Sequence, residues 1–199
     1  MKIICLKTNP TIYSGNSFLL LGSWSTLDDV NAVVDTGSDD YIIKEIETIY
    51  TGVGKVPVNK VILTHNHFDH MGGATHLKKK YNCTVYAKIF TDHIVDEILQ
   101  DEAEIRLADK IFTVIYTPGH STDSLCLYCK EEQILFSGDT TLQIRDETAT
   151  YTKGFVGTLK RLSALSIKTI YPGHGKPIHE FAEEMIHDSL AIVLNCKVI

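Results

Sequence analysis

The stretch Thr64-His65-Asn66-His67-Phe68-Asp69-His70-Met71-Gly72-Gly73 places three imidazoles and a carboxylate within six positions, directly after the apolar run Val61-Ile62-Leu63. A short β-branched run closed by two glycines reads as a strand ending in a loop, with a helix starting near Gly73. On extended backbone alternate side chains share a face, so His65, His67 and Asp69 converge and His70 turns in as the chain leaves the strand. Burying neighbouring imidazoles without a partner is costly. Nitrogen and carboxylate donors together suit zinc, iron or manganese, whereas calcium or magnesium would want mostly oxygen.

Three further strands end in turns that carry the same residue types. The run 111–116 leads into Thr117-Pro118-Gly119-His120, the run 133–136 into Ser137-Gly138-Asp139, and the run 169–171 into Pro172-Gly173-His174-Gly175. Glycine lets the backbone turn sharply at each of them. Ligands at the carboxyl ends of strands lie where α/β folds build their sites. One such turn alone is ordinary; four of them, one with a dense histidine cluster, point to a metal centre.

The remaining chain is consistent with this. With 199 residues, 44% of them hydrophobic and 22% charged, it suits a single soluble domain over residues 1–199. Strands are expected at 3–6, 17–21, 32–34, 84–86 and 125–129, and helices over 39–49, 76–81, about 87–99, 157–165 and about 180–195. That alternation is an α/β arrangement. The formal net charge of −6 disfavours nucleic acid as a partner. Five scattered cysteines argue against a disulfide framework. Cys126 and Cys129 sit three apart on a strand and so face opposite ways, which suits the core better than a shared metal. Only four apolar residues separate Lys2 from Lys7, too few for a signal peptide, and no stretch approaches a membrane span. A cytoplasmic protein with no membrane partner is therefore expected.

Some residues admit two readings. Asp35, before Thr36-Gly37, is either a hydrogen-bond partner for a ligand histidine or a turn aspartate. Residues 141–156 either overhang the site, with Tyr151, Lys153 and Phe155 touching substrate and Arg145 anchoring an anionic group, or form a solvated loop. His76, His93, His179 and His187 are expected on the surface or on helices, without a role at the site.

The motifs resemble the metallo-β-lactamase superfamily, whose His-x-His-x-Asp-His signature is here His65, His67, Asp69 and His70. Its remaining ligands match His120, Asp139 and His174. The resemblance implies an αββα fold, a four-layer sandwich of two mixed β-sheets flanked by helices. It implies two divalent metal ions, zinc first and iron or manganese as alternatives. One would be held by His65, His67 and His120, the other by Asp69, His70 and His174, with Asp139 bridging. A bridging hydroxide would attack a carbonyl, and Asp69 would be the catalytic residue that orients it and carries its proton. The segments 117–124, 136–140 and 171–175 are similar to the glyoxalase II-like (hydroxyacylglutathione hydrolase) branch, so a thioester or ester hydrolase of a small-molecule substrate is expected. That branch carries a C-terminal helical domain for glutathione, whereas about one helix follows His174 here. Its Arg-x-Asp pattern is represented only by Arg145-Asp146 nearby. A persulfide dioxygenase with a single iron, a lactonase and a nuclease are the alternatives on the same scaffold. Lactonases place a tyrosine soon after the bridging aspartate, while the first here is Tyr151.

Overall fold

The structure is a computed structural model describing residues 1–23, 29–91 and 93–199. Strands β1 (Lys2–Leu6), β2 (Ser17–Leu21) and β3 (Ala32–Val34) form an antiparallel meander. Helix α1 (Tyr41–Glu47) then carries the chain over to β4 (Lys60–Ile62), parallel to β3. Helices α2 (Phe68–Met71) and α3 (Ala74–Tyr81) lead to β5 (Thr84–Ala87), and β6 (Glu97–Ile98) completes a six-stranded mixed sheet whose order is the chain order. Strands β7 (Glu104–Leu107), β8 (Lys110–Tyr116), β9 (Leu125–Cys129) and β10 (Ile134–Gly138) pair antiparallel in a second sheet. After β11 (Thr150–Tyr151) and α4 (Lys153–Ser163), β12 (Thr169–Pro172) joins that sheet parallel to β10. Helix α5 (Ala182–Asn195) and β13 (Lys197–Val198) follow, with β13 pairing parallel to β11.

Strand alternation sorts the apolar side chains into three layers. On β2, Phe18 and Leu20 enter the core between the sheets, while Leu19 and Leu21 pack with Ile42 and Ile46 of α1 and Leu77 of α3. On β9, Leu125, Leu127 and Cys129 face the inter-sheet core, and Cys126 and Tyr128 face Leu159 of α4 and Ile186 of α5. Both sheets are covered on both faces, which is why β2 and β9 are buried at every position and, Ser17 apart, read as apolar runs. The result is the αββα sandwich expected from the sequence. Cys126 and Cys129 are free thiols on opposite faces of their strand, as their spacing requires. Among the described residues no helix is long and apolar enough to cross a membrane.

The helix expected over 87–99 is not formed. Ala87 ends β5, and the chain returns as β6, with Tyr86 opposite Glu97 and Ala87 opposite Ile98; Asp92 lies outside the described residues. Asp96 N donates to Val85 O at 2.8 Å and Leu99 N to Ala87 O at 2.7 Å, so the backbone groups a helix would use extend the sheet instead. The segment expected to stay irregular to residue 156 gains order earlier, because Thr152 Oγ1 accepts from Phe155 N at 3.2 Å and starts α4 at Lys153. Helix α2 has no counterpart among the expected elements, and it places Asp69 on a helical turn rather than on extended backbone, while His70 turns in on the same helix.

Candidate metal centre

The first cluster grows out of β4. Leu63 N donates to Tyr86 O at 2.9 Å and continues the strand pairing, so His65 leaves the sheet edge buried at 1% exposure. His67 precedes α2, whose single turn swings Asp69 and His70 inward. His120 follows β8, Asp139 follows β10, and His174 follows β12. Backbone bonds tie these ends together: Gly173 N to Gly138 O at 2.8 Å, and Leu125 N to Thr64 O at 2.9 Å. Six of the seven side chains meet in two trios. His65, His67 and His120 bring three ring nitrogens within 4.8 Å of one another, as do the donor atoms of Asp69, His70 and His174. Asp139 faces both trios, with Oδ2 3.4 Å from His120 Nε2 and 3.5 Å from His174 Nε2, and Oδ1 3.3 Å from His70 Nε2.

One buried carboxylate sets the orientation of two of these rings. Asp35 Oδ1 accepts from Thr64 N, and Oδ2 accepts from Thr64 Oγ1, both at 2.8 Å, and from His70 Nδ1 at 2.9 Å. Since the Thr64 hydroxyl donates to Asp35, its oxygen accepts from His65 Nδ1 at 3.1 Å. Both imidazoles therefore spend Nδ1–H away from the centre and turn Nε2 toward it. Asp35 holds this place at φ 55°, a left-handed conformation uncommon outside glycine. Of its two sequence readings, the hydrogen bond to a candidate ligand histidine is the one formed.

The donor set fits a cation. His67 Nδ1 lies 3.0 Å from both His65 Nε2 and His120 Nε2, and His70 Nε2 lies 3.3 Å from His174 Nε2. Donors around a tetrahedral zinc at about 2.0–2.1 Å stand roughly 3.3 Å apart. Asp139 Oδ1 is buried and makes no hydrogen bond among the described residues, an orphan that a cation would satisfy. Electrostatics point the same way. Burial opposes a proton on His70, but Asp35 and Asp139 outweigh it and raise its pKa to about 10. Burial, then the charge of His70, pushes His65 down to about 4. Asp139 drops to about 2, because its contact with His70 and the surrounding imidazoles overcome its burial. The carboxylates Asp35 and Asp139 thus draw positive charge to His70, while His65 stays neutral with a lone pair free for a cation.

Close packing leaves room only for glycine beside it. A Cβ on Gly173 would overlap Asp139 Oδ1 and come within 2.8 Å of His70 Cε1. The loop before β2 closes one side: Gly15 N donates to Asp69 O at 2.9 Å, and the Asn16 side chain donates to Pro172 O and Gly175 O at 2.9 and 2.8 Å. Tyr13, on the same loop, stacks on His174 at 5.2 Å between centroids, with its hydroxyl 3.3 Å from His174 Nε2. Sequence reasoning passed over Tyr13 and Asn16; the turn signal Ser14-Gly15-Asn16 gave no sign of what it would touch.

A cleft of about 270 Å³ opens beside His120, with Ile144, Thr150, Tyr151 and Phe155 among its walls. Of the four candidate substrate contacts, Tyr151 and Phe155 line this cleft. Arg145 instead lines a separate depression with Phe181, just before α5, and Met185 on that helix. Lys153 is exposed on the first residue of α4 and lines neither.

A hydroxyacylglutathione hydrolase from Marinomonas sp. (strain MWYL1) is 38% identical over 111 residues, covering 54% of this chain and 40% of that protein. An atrochrysone carboxyl ACP thioesterase from Aspergillus fumigatus is 26% identical over 161 residues, 77% of this chain and 50% of its own length. The chain thus spans half or less of the length of these two relatives. A metallo-beta-lactamase family protein from Thermus thermophilus shares the fold with a TM-score of 0.70 at 20% identity, over 96% of this chain and 78% of that one. ETHE1 from Myxococcus xanthus does so with a TM-score of 0.68 at 17% identity, over 98% and 100%. The sequence pattern of the metallo-beta-lactamase superfamily matches residues 11–95 and 87–174, which carry all seven converging side chains, and the chain belongs to that superfamily.

Proposed function

We propose that the chain is a metal-dependent hydrolase of the glyoxalase II kind, cleaving the thioester or ester of a small acyl substrate. Its centre would hold two divalent cations, zinc foremost: one on His65, His67 and His120, the other on Asp69, His70 and His174, with Asp139 shared. The observation that carries this reading is that Asp139 faces nitrogens of both trios within 3.5 Å. When bound, such cations polarise a carbonyl oxygen and bring the pKa of water to about 7. The relatives named above, a hydroxyacylglutathione hydrolase and an ACP thioesterase, favour a thioester.

Each side chain then has a task. Asp35 and Thr64 engage Nδ1 of His70 and His65, so that Nε2 of each ring is the atom aimed at the centre. Asp69 is 6% exposed, with Oδ2 3.2 Å from His174 Nε2, and its carboxylate takes the proton of the attacking water. The water oxygen bonds to the carbonyl carbon. The carbon–sulfur or carbon–oxygen bond breaks with its electron pair on the leaving atom, which then takes a proton, giving acid and thiol or alcohol. Two divalent cations outweigh the charges of Asp35, Asp69 and Asp139, so the centre favours an anionic transition state.

Metal analysis of protein purified without added metal, followed by assays on thioesters, lactones and phosphodiesters, tests this. Two equivalents of metal, thioesters as the fastest substrates, and loss of both metal and turnover in Asp139→Ala are expected. A single iron with oxygen uptake on a persulfide would replace the hydrolase reading with a dioxygenase. Full activity in His67→Ala or Asp139→Ala would contradict it.

A further inference from the structure

The cleft beside His120 is built in a way that restricts what can enter it. Tyr151 and Phe155 stack with ring centroids 5.7 Å apart and planes at 23° and give the cleft an aromatic wall, with Ile144 as another side and Thr141, Thr150 and Thr152 as uncharged polar groups. The wall is fixed in place. Tyr151 O accepts from Ile199 N and Ile199 O accepts from Lys153 N, both at 2.9 Å, while the Thr152 cap anchors Phe155 N. It also abuts the centre directly, since a Cβ on Gly119 would sit 3.0 Å from Phe155 Cδ2, one residue from His120. Among the described lining residues His120 and Tyr151 alone are ionisable, and the Tyr151 hydroxyl donates to Asp146 O at 3.1 Å. Neither Arg145 nor Lys153 reaches the cleft to pair with an anion.

We propose that this cleft receives the acyl side chain of the substrate, and that the group it accepts is uncharged, apolar and flat, such as an aryl group. The proposal rests on the hydrolase reading. With the acyl group against Tyr151 and Phe155, its carbonyl would lie beside His120, and the thiol or alcohol half would extend toward His174 of the other trio and the Tyr13 that contacts it. A carboxylate on the acyl group would enter the cleft unpaired, which is unfavourable.

The test compares benzoyl, acetyl and succinyl thioesters of N-acetylcysteamine on the metal-loaded protein. Benzoyl is expected to exceed succinyl in kcat/KM by roughly tenfold to a hundredfold, as pocket complementarity allows. Phe155→Ala should collapse the benzoyl-to-acetyl ratio. Because Phe155 also packs in the core, the exposed Thr150→Lys serves as the second variant and should shift the preference toward succinyl by about tenfold. Succinyl turnover equal to or above benzoyl, or a ratio that neither variant moves, overturns the proposal. If no thioester is cleaved, the thioesterase form of that reading has failed and calorimetry on the protein decides the cleft by itself. Benzamide binding that weakens in Phe155→Ala supports it, and affinity no greater than that for succinamate overturns it.

Discussion

Asp35→Asn tests the wiring of the centre with the smallest change of shape. The amide keeps an oxygen for Thr64 N, but places an NH₂ where Oδ2 now accepts from both Thr64 Oγ1 and His70 Nδ1. A donor then faces two donors. His70 escapes by taking the other tautomer, which puts a proton on Nε2, the atom turned toward Asp69, Asp139 and His174. The lost contact is a charge-assisted hydrogen bond worth about 1.5–3 kcal/mol. At about 1.4 kcal/mol per decade, that weakens metal binding on the His70 trio by roughly 10- to 100-fold, the range usual for partners of metal-bound histidine. The His65 trio should lose less, because the Thr64 hydroxyl can rotate. Zinc titration against a competing chelator resolves the two steps, with circular dichroism confirming that the variant is folded. A folded variant whose weaker step stays within about threefold of the parent refutes the assignment.

Three further outcomes follow from packing. Gly173→Ala forces a methyl onto Asp139 Oδ1 and His70 Cε1 and is expected to lower turnover by about a hundredfold, as a 1 Å misplacement does; unchanged kcat would show that the turn gives way freely. Asn16→Ala removes both side-chain bonds that hold the His174 turn and should cost about 1–3 kcal/mol in urea unfolding, two bonds at roughly 0.5–1.5 each; an unshifted midpoint would mean the loop is not a clasp. Leu127→Ala opens a void at a fully buried position between the sheets and is expected to cost about 2–5 kcal/mol while leaving the metal stoichiometry unchanged. A loss below about 1 kcal/mol would contradict the layered core.

What could be read from the sequence was what depends on short-range pattern. Val61-Ile62-Leu63 announces a buried strand, and the turns Pro118-Gly119 and Pro172-Gly173 mark where strands stop and side chains are displayed. Cys126 and Cys129 were separable by strand alternation alone. What could not be read depends on partners distant along the chain. Residues 87–99 space Ile94, Val95, Ile98 and Leu99 as a helix would, yet β5 offers Val85 O and Ala87 O, and sheet pairing prevails. The choice between two roles for Asp35 turned on Thr64 and His70, 29 and 35 residues away. Tyr13 meets His174 across 161 residues, a contact with no local signature. Strands β11 and β13 are two residues long and carry no periodicity to detect, although their pairing shapes the cleft wall.

Anomalous diffraction at the zinc edge from crystals of zinc-loaded protein tests the central claim most directly. Two peaks are predicted, one among His65, His67 and His120 and one among Asp69, His70 and His174, each in contact with Asp139. A single peak, or peaks that leave Asp139 unligated, would contradict the two-cation centre from which the proposed hydrolysis follows.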